Sequence, residues 1–390
     1  MIIVILVLAV PLLVLTLYAV FSIRHAEPER SPVRLPADAP LVSLLKPVKT
    51  LDDGLEKNIE SYFSLDYPRF EILFGVDRMT DPCVAVIERV RRRFPEVPVL
   101  VLATGHNGRQ NPKVHKLALL EARSRGDLLW VTDSNTRADR DTLSRLVEEH
   151  LRGGAKLVFS PIRGTGSRTF ASLIENSSLN FFTSGGIIAA WKLLRQPIVV
   201  GKSILVEAKA LRAFGGFGYL KNYLAEDFLL GESFLKSGFR VSTNYTWVTN
   251  VNERSSLRSF FDRMARWAKL RYSLRRGAYL AELLLNPIMI AAGACAALGG
   301  RGAIVLPAVV LFKVLLEYVN FLAVNREDRK RLAWHLLFPA AVVVKDFLFL
   351  LIYLVPFLGG NLRWRGTGIS IGRMTLIGGP RRDEPVFQGA

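Results

Sequence analysis

Residues 127–135 read DLLWVTDSN. Leu128, Leu129, Trp130 and Val131 have the apolar content of a buried strand, and the run stops at once on Asp133-Ser134-Asn135. Ending such a strand on a lone carboxylate needs a reason in a chain whose net charge is +18. The neighbouring segments supply the context. PLVSLLKPVKT (40–50) predicts a first strand and its loop, and LEKNIESYFSL (55–65) has helical spacing. RFEILFGVD (69–77) is a second strand, ending on Asp77; CVAVIERVRRRF (83–94) is an amphipathic helix and VPVLVLAT (97–104) a third strand. VHKLALLEARS (114–124) is helical, and KLVFSPI (156–162) predicts a further strand. Strands alternating with helices imply an α/β fold with a mostly parallel sheet. Ligands of such sheets collect at the carboxyl ends of the strands, where Asp77 and Asp133 both fall.

Half of the 390 residues are hydrophobic, and the excess is concentrated at the start and in the last third. That is the pattern of a membrane protein with a polar middle. Residues 1–23 carry no charge and are long enough to span a bilayer. No basic residue precedes them and Arg24 follows, so they predict an uncleaved anchor rather than a signal peptide. Arg24, Arg30 and Arg34 place its carboxyl end in the cytoplasm. Residues 24–40, with Pro28, Pro32, Pro36 and Pro40, read as a linker to a cytoplasmic domain over 41–277. Within that domain, 179–200 is apolar but broken by Gly185-Gly186, Lys192 and Arg195, and reads as interfacial or buried. Residues 278–358 hold three apolar segments, 278–299, 303–324 and 336–358, followed by a basic tail over 359–390. Arg326, Arg329, Lys330 and Arg331 make the second link cytoplasmic, so the first two segments form a hairpin. The third has Lys345-Asp346 near its middle and Pro339 and Pro356 at its ends; it reads as re-entrant or interfacial, with a crossing as the alternative.

The basic residues are dense beside the apolar segments and from Arg254 to Arg276. This favours anionic lipid headgroups and a phosphorylated substrate over nucleic acid, for which no aromatic-basic stacking platform is visible. Cys83 and Cys295 form no disulfide framework, and His25, His106, His115, His150 and His335 have no ligand spacing.

An acid after a strand can simply cap the next helix. The alternative for Asp133 is a divalent cation held against a diphosphate, since Mg²⁺ and Mn²⁺ take one or two carboxylates plus phosphate oxygens. Further along, AEDFLLGESFLKSGF (225–239) places Glu226-Asp227 at the front of an amphipathic helix. RMARWAKLR (263–271) then puts Arg263, Arg266 and Trp267 on one helical face.

The order of strand-end Asp77, strand-end Asp133, Glu226-Asp227 and Arg-x-x-Arg-Trp, followed by membrane segments, resembles the membrane glycosyltransferases with a D, D, D, (Q/R)xxRW signature on the GT-A nucleotide-sugar-binding fold. Within that group the chain looks most like ceramide glucosyltransferases. The stretches that carry the likeness are LLKPVKTLDDGLEKNIESYF, YPRFEILFGV, Asp81-Pro82, NPKVHKL, VTDSN, AEDF and RMARWAKLR.

The resemblance implies a UDP-sugar donor, best read as UDP-glucose, a membrane lipid acceptor, best read as ceramide, and Mg²⁺ or Mn²⁺ at Asp133. It implies an inverting enzyme on the cytoplasmic face of a bacterial inner membrane. Asp227 would be the general base and Glu226 its neighbour at the sugar; Arg263 and Arg266 would meet the diphosphate, and Trp267 would wall the sugar or acceptor. Donor contacts fall on Lys46, Asp77, Asp81, Asn111, Lys113, Asp133 and Asn135, and acceptor-side contacts on Trp267, Lys202 and His115. One departure stands out: the family's first motif usually has its Asp one place later, as V-x-D, whereas here GVDRMTDP puts Asp at 77 and Arg at 78. Either a local shift restores the carboxylate or the nucleotide contact uses backbone and Asp81. The same chemistry on a hopanoid or glycerolipid, with UDP-N-acetylglucosamine or UDP-glucuronate, is the alternative; a non-catalytic lipid-binding scaffold is a third reading.

Overall fold

The computed structural model describes residues 2–26, 32–105, 108, 110–244, 246–299, 304–359, 361–364, 367–370 and 372–378. His106 and half of the basic tail lie outside them. The strands are β1 (Val42–Pro47), β2 (Phe70–Val76), β3 (Val99–Ala103), β4 (Leu128–Thr132), β5 (Thr136–Arg137), β6 (Leu157–Phe159), β7 (Ile162–Thr165), β8 (Ser203–Glu207), β9 (Val241–Thr243), β10 (Val248–Val251), β11 (Asn361–Trp364) and β12 (Thr367–Ser370). The α-helices are α1 (Ile2–Ala26), α2 (Leu55–Phe63), α3 (Pro82–Arg91), α4 (Pro112–Glu121), α5 (Thr142–Gly153), α6 (Phe170–Ser178) and α7 (Ser184–Leu194). They continue with α8 (Ala208–Ala213), α9 (Glu226–Lys236), α10 (Leu257–Leu274), α11 (Arg276–Glu282), α12 (Pro287–Leu298), α13 (Val305–Val324) and α14 (Leu332–Leu354).

Contacts divide the chain into two units. The first comprises Pro28–Ile162, Arg195–Val251 and Leu376–Ala390. Its seven-stranded sheet runs β3-β2-β1-β4-β8-β6-β9. β1 pairs in parallel with β2 and β4, and β2 with β3, as the alternating pattern predicts; β8 is antiparallel to both β4 and β6. The expected single strand over 156–162 is instead two, broken at Ser160-Pro161, because proline offers no N–H to continue a ladder. Trp130, Tyr62, Phe74 and Ile87 are fully buried in the main core. α4 begins sharply: Asn111 accepts from the N–H groups of Lys113 and Val114, and Pro112 sits in the first turn, where a missing donor costs nothing.

The second unit comprises Met1–Glu27, Arg163–Leu194 and Asn252–Thr375. The 179–200 stretch therefore belongs mostly with the apolar helices. α6 runs into a π-helical turn, Leu179–Thr183, and then α7. A Cβ at Gly185 would lie 2.9 Å from the Tyr18 side chain and carbonyl, so only glycine lets α7 approach α1 this closely. Among the described residues, three helices are long and apolar enough to cross a membrane: Val4–Ala26, Val305–Val324 and Leu332–Leu358. The third segment, for which the sequence left re-entrant, interfacial and crossing readings open, forms one continuous helix over Leu332–Leu354. The break falls in the first segment, where Arg276–Leu285 and Pro287–Leu298 are bent by 64° at Asn286. Asn286 caps α12 and Pro287 opens it, which is why the helix restarts there. Lys345 and Asp346 did not break α14 because Glu317 and Lys313 on α13 neutralise them.

Candidate active site

In the sheet unit, the register that sets Leu45 opposite Val131 brings the ends of β1 and β4 together, with Asp133 just beyond β4. Each oxygen of the Asp133 carboxylate takes one ammonium: Oδ1 lies 3.0 Å from Lys113 Nζ and Oδ2 2.9 Å from Lys202 Nζ. Burial alone would raise the Asp133 pKa, but Lys113 and Lys202 hold it well below the usual carboxylate range. Lys113, at the start of α4, is the hub. Its Nζ is also 3.1 Å from Glu226 Oε1 and donates to the Gly201 carbonyl at 2.9 Å. Burial would push Lys113 down, yet Asp133, Glu226 and Asp227 keep it above the ordinary lysine range.

Glu226 and Asp227 open α9 as the sequence predicts. Asn111 Nδ2 donates to Glu226 Oε2 at 3.1 Å and to the Tyr223 carbonyl at 2.9 Å, so the α4 cap also positions the α9 carboxylates. Burial raises the Glu226 pKa; Lys113 opposes this and Asp227 adds to it. Asp227 Oδ2 accepts from the Gly201 N–H at 2.6 Å and Oδ1 from its neighbour Phe228 N–H at 2.8 Å. A Cβ on Gly201 would stand 2.7 Å from Lys113 Nζ and 3.0 Å from Asp227 Oδ2, so the absence of a side chain there lets these groups meet. Asp133, Lys113, Lys202, Asn135, Glu226 and Asp227 thus form one connected cluster.

Other expected residues sit differently. Lys46 is fully buried and does not open onto this cluster. Its ammonium lies 3.7 Å from the centre of the Tyr62 ring and donates to Thr132 Oγ1 (3.1 Å) and the Asp133 carbonyl (2.7 Å), so it fixes the end of β4. Burial pushes its pKa well below the lysine range, against the pull of Asp133 and Asp52. Asp77 ends β2 and pairs with Lys116, which also donates to the Val48 carbonyl at 3.2 Å. Asp81 accepts from the Arg78 N–H at 3.0 Å and precedes α3. His115 Nε2 meets the Thr104 carbonyl at 2.9 Å rather than the Asp133 cluster.

Arg263, Arg266 and Trp267 lie on α10, in the helical unit, each half-buried. The helix starts with a capping box between Ser256 and Ser259. Arg263 pairs with the buried Glu175, which the sequence reading missed; an acid in the otherwise uncharged run ASLIENSS was its only signal. Trp267 packs against the apolar cluster of Phe260, Met264, Tyr279 and Phe338.

Among the described residues no three His, Cys, Asp or Glu side chains converge as a metal cage. A cation bound chiefly through phosphate oxygens needs none. Asp133 Oδ2 and Asn135 Oδ1 both stand 2.9 Å from the Lys202 ammonium, two hard oxygen donors already converging on one positive centre. That donor set fits Mg²⁺ or Mn²⁺ backed by a diphosphate.

The sequence model of glycosyl transferase family 21 matches residues 2–377. "Ceramide glucosyltransferase 3" of Caenorhabditis elegans is 26% identical over 269 residues, 68% of this chain and 57% of that protein. "Ceramide glucosyltransferase" of Komagataella phaffii is 33% identical over 143 residues, 36% of this chain and 28% of that one. "Beta-monoglucosyldiacylglycerol synthase" of Synechocystis is 27% identical over 214 residues, 49% of this chain and 41% of that one. The chain therefore spans little more than half the length of these relatives at most. The mannosyltransferase PcManGT of Pyrobaculum calidifontis, solved with GDP-Man and Mn²⁺, superposes with a TM-score of 0.54 at 18% identity, covering 88% of this chain and 98% of its own, which shows the GT-A fold. With a parallel-centred sheet, a carboxylate cluster at its strand ends and a family match over nearly the whole chain, this protein belongs to glycosyl transferase family 21.

Proposed function

We propose that the chain transfers a hexose from a UDP-sugar, UDP-glucose on the best reading, to the hydroxyl of a ceramide-class membrane lipid with inversion at the anomeric carbon. The observation that carries this reading is the Lys113 hub, which gathers Asp133, Glu226 and Asp227 within reach of one another at the strand ends. The donor's leaving group is a diphosphate, whose growing negative charge must be met as the glycosidic bond breaks. Lys113 and Lys202 supply two positive charges for it. Asp133 and Asn135 would hold Mg²⁺ or Mn²⁺, which when bound adds further charge neutralisation. Asp77 and Asp81, at the end of β2, are assigned to the nucleotide side of the donor.

Asp227 is the base. Its carboxylate is held by two backbone N–H donors at fixed positions, and its remaining lone pairs can accept the acceptor's hydroxyl proton as that oxygen attacks the anomeric carbon. Glu226 is held by Asn111 and Lys113 and lines the sugar side. One displacement on an α-linked donor yields a β-glycoside. The acceptor class is supported by the ceramide glucosyltransferases among the relatives. A glycerolipid acceptor is a second reading, favoured by the Synechocystis relative. Arg326, Arg329, Lys330 and Arg331, between α13 and α14, support a cytoplasmic catalytic unit.

Asp227→Asn tests the assignment. Transfer from UDP-glucose to ceramide, read by mass spectrometry of the glycolipid, should fall roughly 10²–10⁴-fold while UDP binding stays within about threefold. An unchanged transfer rate would remove Asp227 from the chemistry and favour the scaffold reading.

A further inference from the structure

The helical unit contains a charged cavity that transfer chemistry at Asp227 does not use. Its volume is about 70 Å³, room for about two waters or a small polar group. Six charged side chains line it: Arg271, Glu282, Lys313, Glu317, Lys345 and Asp346. Four are nearly inaccessible, with side-chain exposures of 5% for Lys313, 0% for Glu317, 3% for Lys345 and 7% for Asp346. Lys313 bridges Glu317 and Asp346, the latter at 2.8 Å, and Lys345 pairs with Glu317. Arg271 and Glu282, 3.0 Å apart, form a second, more exposed tier. The lower tier lies well inside α13 and α14, helices long and apolar enough to span a bilayer. Ionisable groups at such depth are costly to bury, and they ordinarily mark a functional site rather than a fastening.

Three further observations separate this cluster from a plain brace. First, a brace closes on itself, whereas these charges surround a void. Second, the π-helical turn Leu179–Thr183 presents Phe181 to the same place, with Lys313 and Lys345 at 5.9 and 5.7 Å from its ring centre; π-turns recur where a helix has been adapted to a site. Third, Arg271 stands one turn beyond Trp267 on α10, and Trp267 packs in the apolar cluster whose members Tyr279, Phe349, Ile352 and Tyr353 wall the cavity. The signature tryptophan and the cavity therefore share one packed core.

Three cations and three carboxylates give the lining a formal charge of zero. An anionic headgroup would enter with an uncompensated charge, whereas a hydroxyl or amide can both donate to and accept from the paired groups without upsetting the balance. We propose that this cavity seats the polar head of a neutral, hydroxyl-bearing lipid and discriminates against lipids with an anionic head. The proposal rests on the lipid-acceptor reading above and adds where the acceptor is selected.

The test uses the full chain in lipid nanodiscs with a photoactivatable ceramide carrying a diazirine near its amide. Labelling should map to the peptides that wall the cavity, from α1, the Leu179–Thr183 turn, α10, the stretch from Tyr279 to Asn286, α13 and α14, and unlabelled ceramide should compete about tenfold better than phosphatidic acid of equal chain length. Leu350→Trp, which fills the cavity from its wall, should cut labelling and raise the acceptor KM about tenfold. Leu283→Phe serves if that variant does not fold, and the melting temperature reports folding in both. Labelling spread over other helices, or a filled cavity that labels and turns over like the parent, overturns the proposal and leaves a brace only. If no UDP-sugar yields a glycolipid yet competed labelling persists in the cavity, the transferase reading fails and the lipid site stands. If glycolipid forms normally without cavity labelling, the reverse holds.

Discussion

Lys113→Met is the most revealing single change in the sheet unit. The ammonium bridges Asp133 at 3.0 Å, Glu226 at 3.1 Å and the Gly201 carbonyl at 2.9 Å, and its side chain is only 17% exposed. Methionine keeps much of the length and volume but leaves Asp133 with one partner and Glu226 facing Asp227 without its cation. Deleting one member of a buried pair typically costs about 3–5 kcal/mol, and the partial exposure of Asp133 and Glu226 places this site near the low end, about 3 kcal/mol. That corresponds to a fall of roughly 6–12 °C in Tm for a domain of this size. Separately, charge-assisted hydrogen bonds to the diphosphate are worth about 1.5–3 kcal/mol, so the Kd for UDP should rise about 10–150-fold. Calorimetric titration of UDP into the detergent-solubilised chain, at a temperature well below both melting points, separates the two effects. Lys113→Arg should regain much of the stability but less of the affinity, since the guanidinium fork does not fit a site built round a point charge. A UDP Kd within about threefold of the parent, alongside the full loss of Tm, would show that Lys113 only ties β4 to α9, and the donor site would have to lie elsewhere.

Gly201→Ala forces a methyl to within 2.7 Å of Lys113 Nζ and should cost transfer about 10²-fold with a modest change in Tm, while Gly218→Ala, with nothing within 4 Å of its Cβ, is the neutral control. Lys46→Met removes a fully buried ammonium and should shift Tm little, yet lower kcat/KM about tenfold by loosening the Asp133 carbonyl; unchanged kinetics would show that β4 holds its end unaided. Asp133 has a depressed pKa in the fold, so its pairing stabilises above the unfolded value of about 3.9 and is lost as pH falls through the folded one. Lys113 has a raised pKa, so its share is complete below about 10.4 and lost as pH rises through the folded value. The Tm difference between the parent and Asp133→Asn should therefore stay flat from about pH 5 to 9 and narrow below about pH 4.

Some of this was legible before any coordinates. DLLWVTDSN, GVD and LLKP announce buried strands because a strand covered on both faces is apolar throughout, and in an α/β pattern that alone sets the sheet and marks its carboxyl ends. Asn111-Pro112 and Glu226-Asp227 announce helix starts by local capping rules that hold wherever the helix goes. Lys46 shows where such reading stops. Its motif placed it with the donor-binding residues, yet the fold buries it against the Tyr62 ring and ties it to the end of β4. Lys313 and Glu317 are four residues apart in an apolar helix and could have been noticed as a pair; that they answer Lys345 and Asp346 could not, because this depends on how α13 meets α14.

By itself the sequence determined the α/β pattern, the apolar segments and the order of the acidic and basic motifs, since these follow from periodicity, composition and local capping. Only the tertiary structure decided that one lysine gathers three carboxylates, that Arg263 is paired with Glu175, and that the apolar run over 278–299 is broken and bent while the charged helix α14 is continuous. The reason is that a charge in a low-dielectric interior takes its state from partners far away in the chain, and those distances are set by packing rather than by spacing along the backbone.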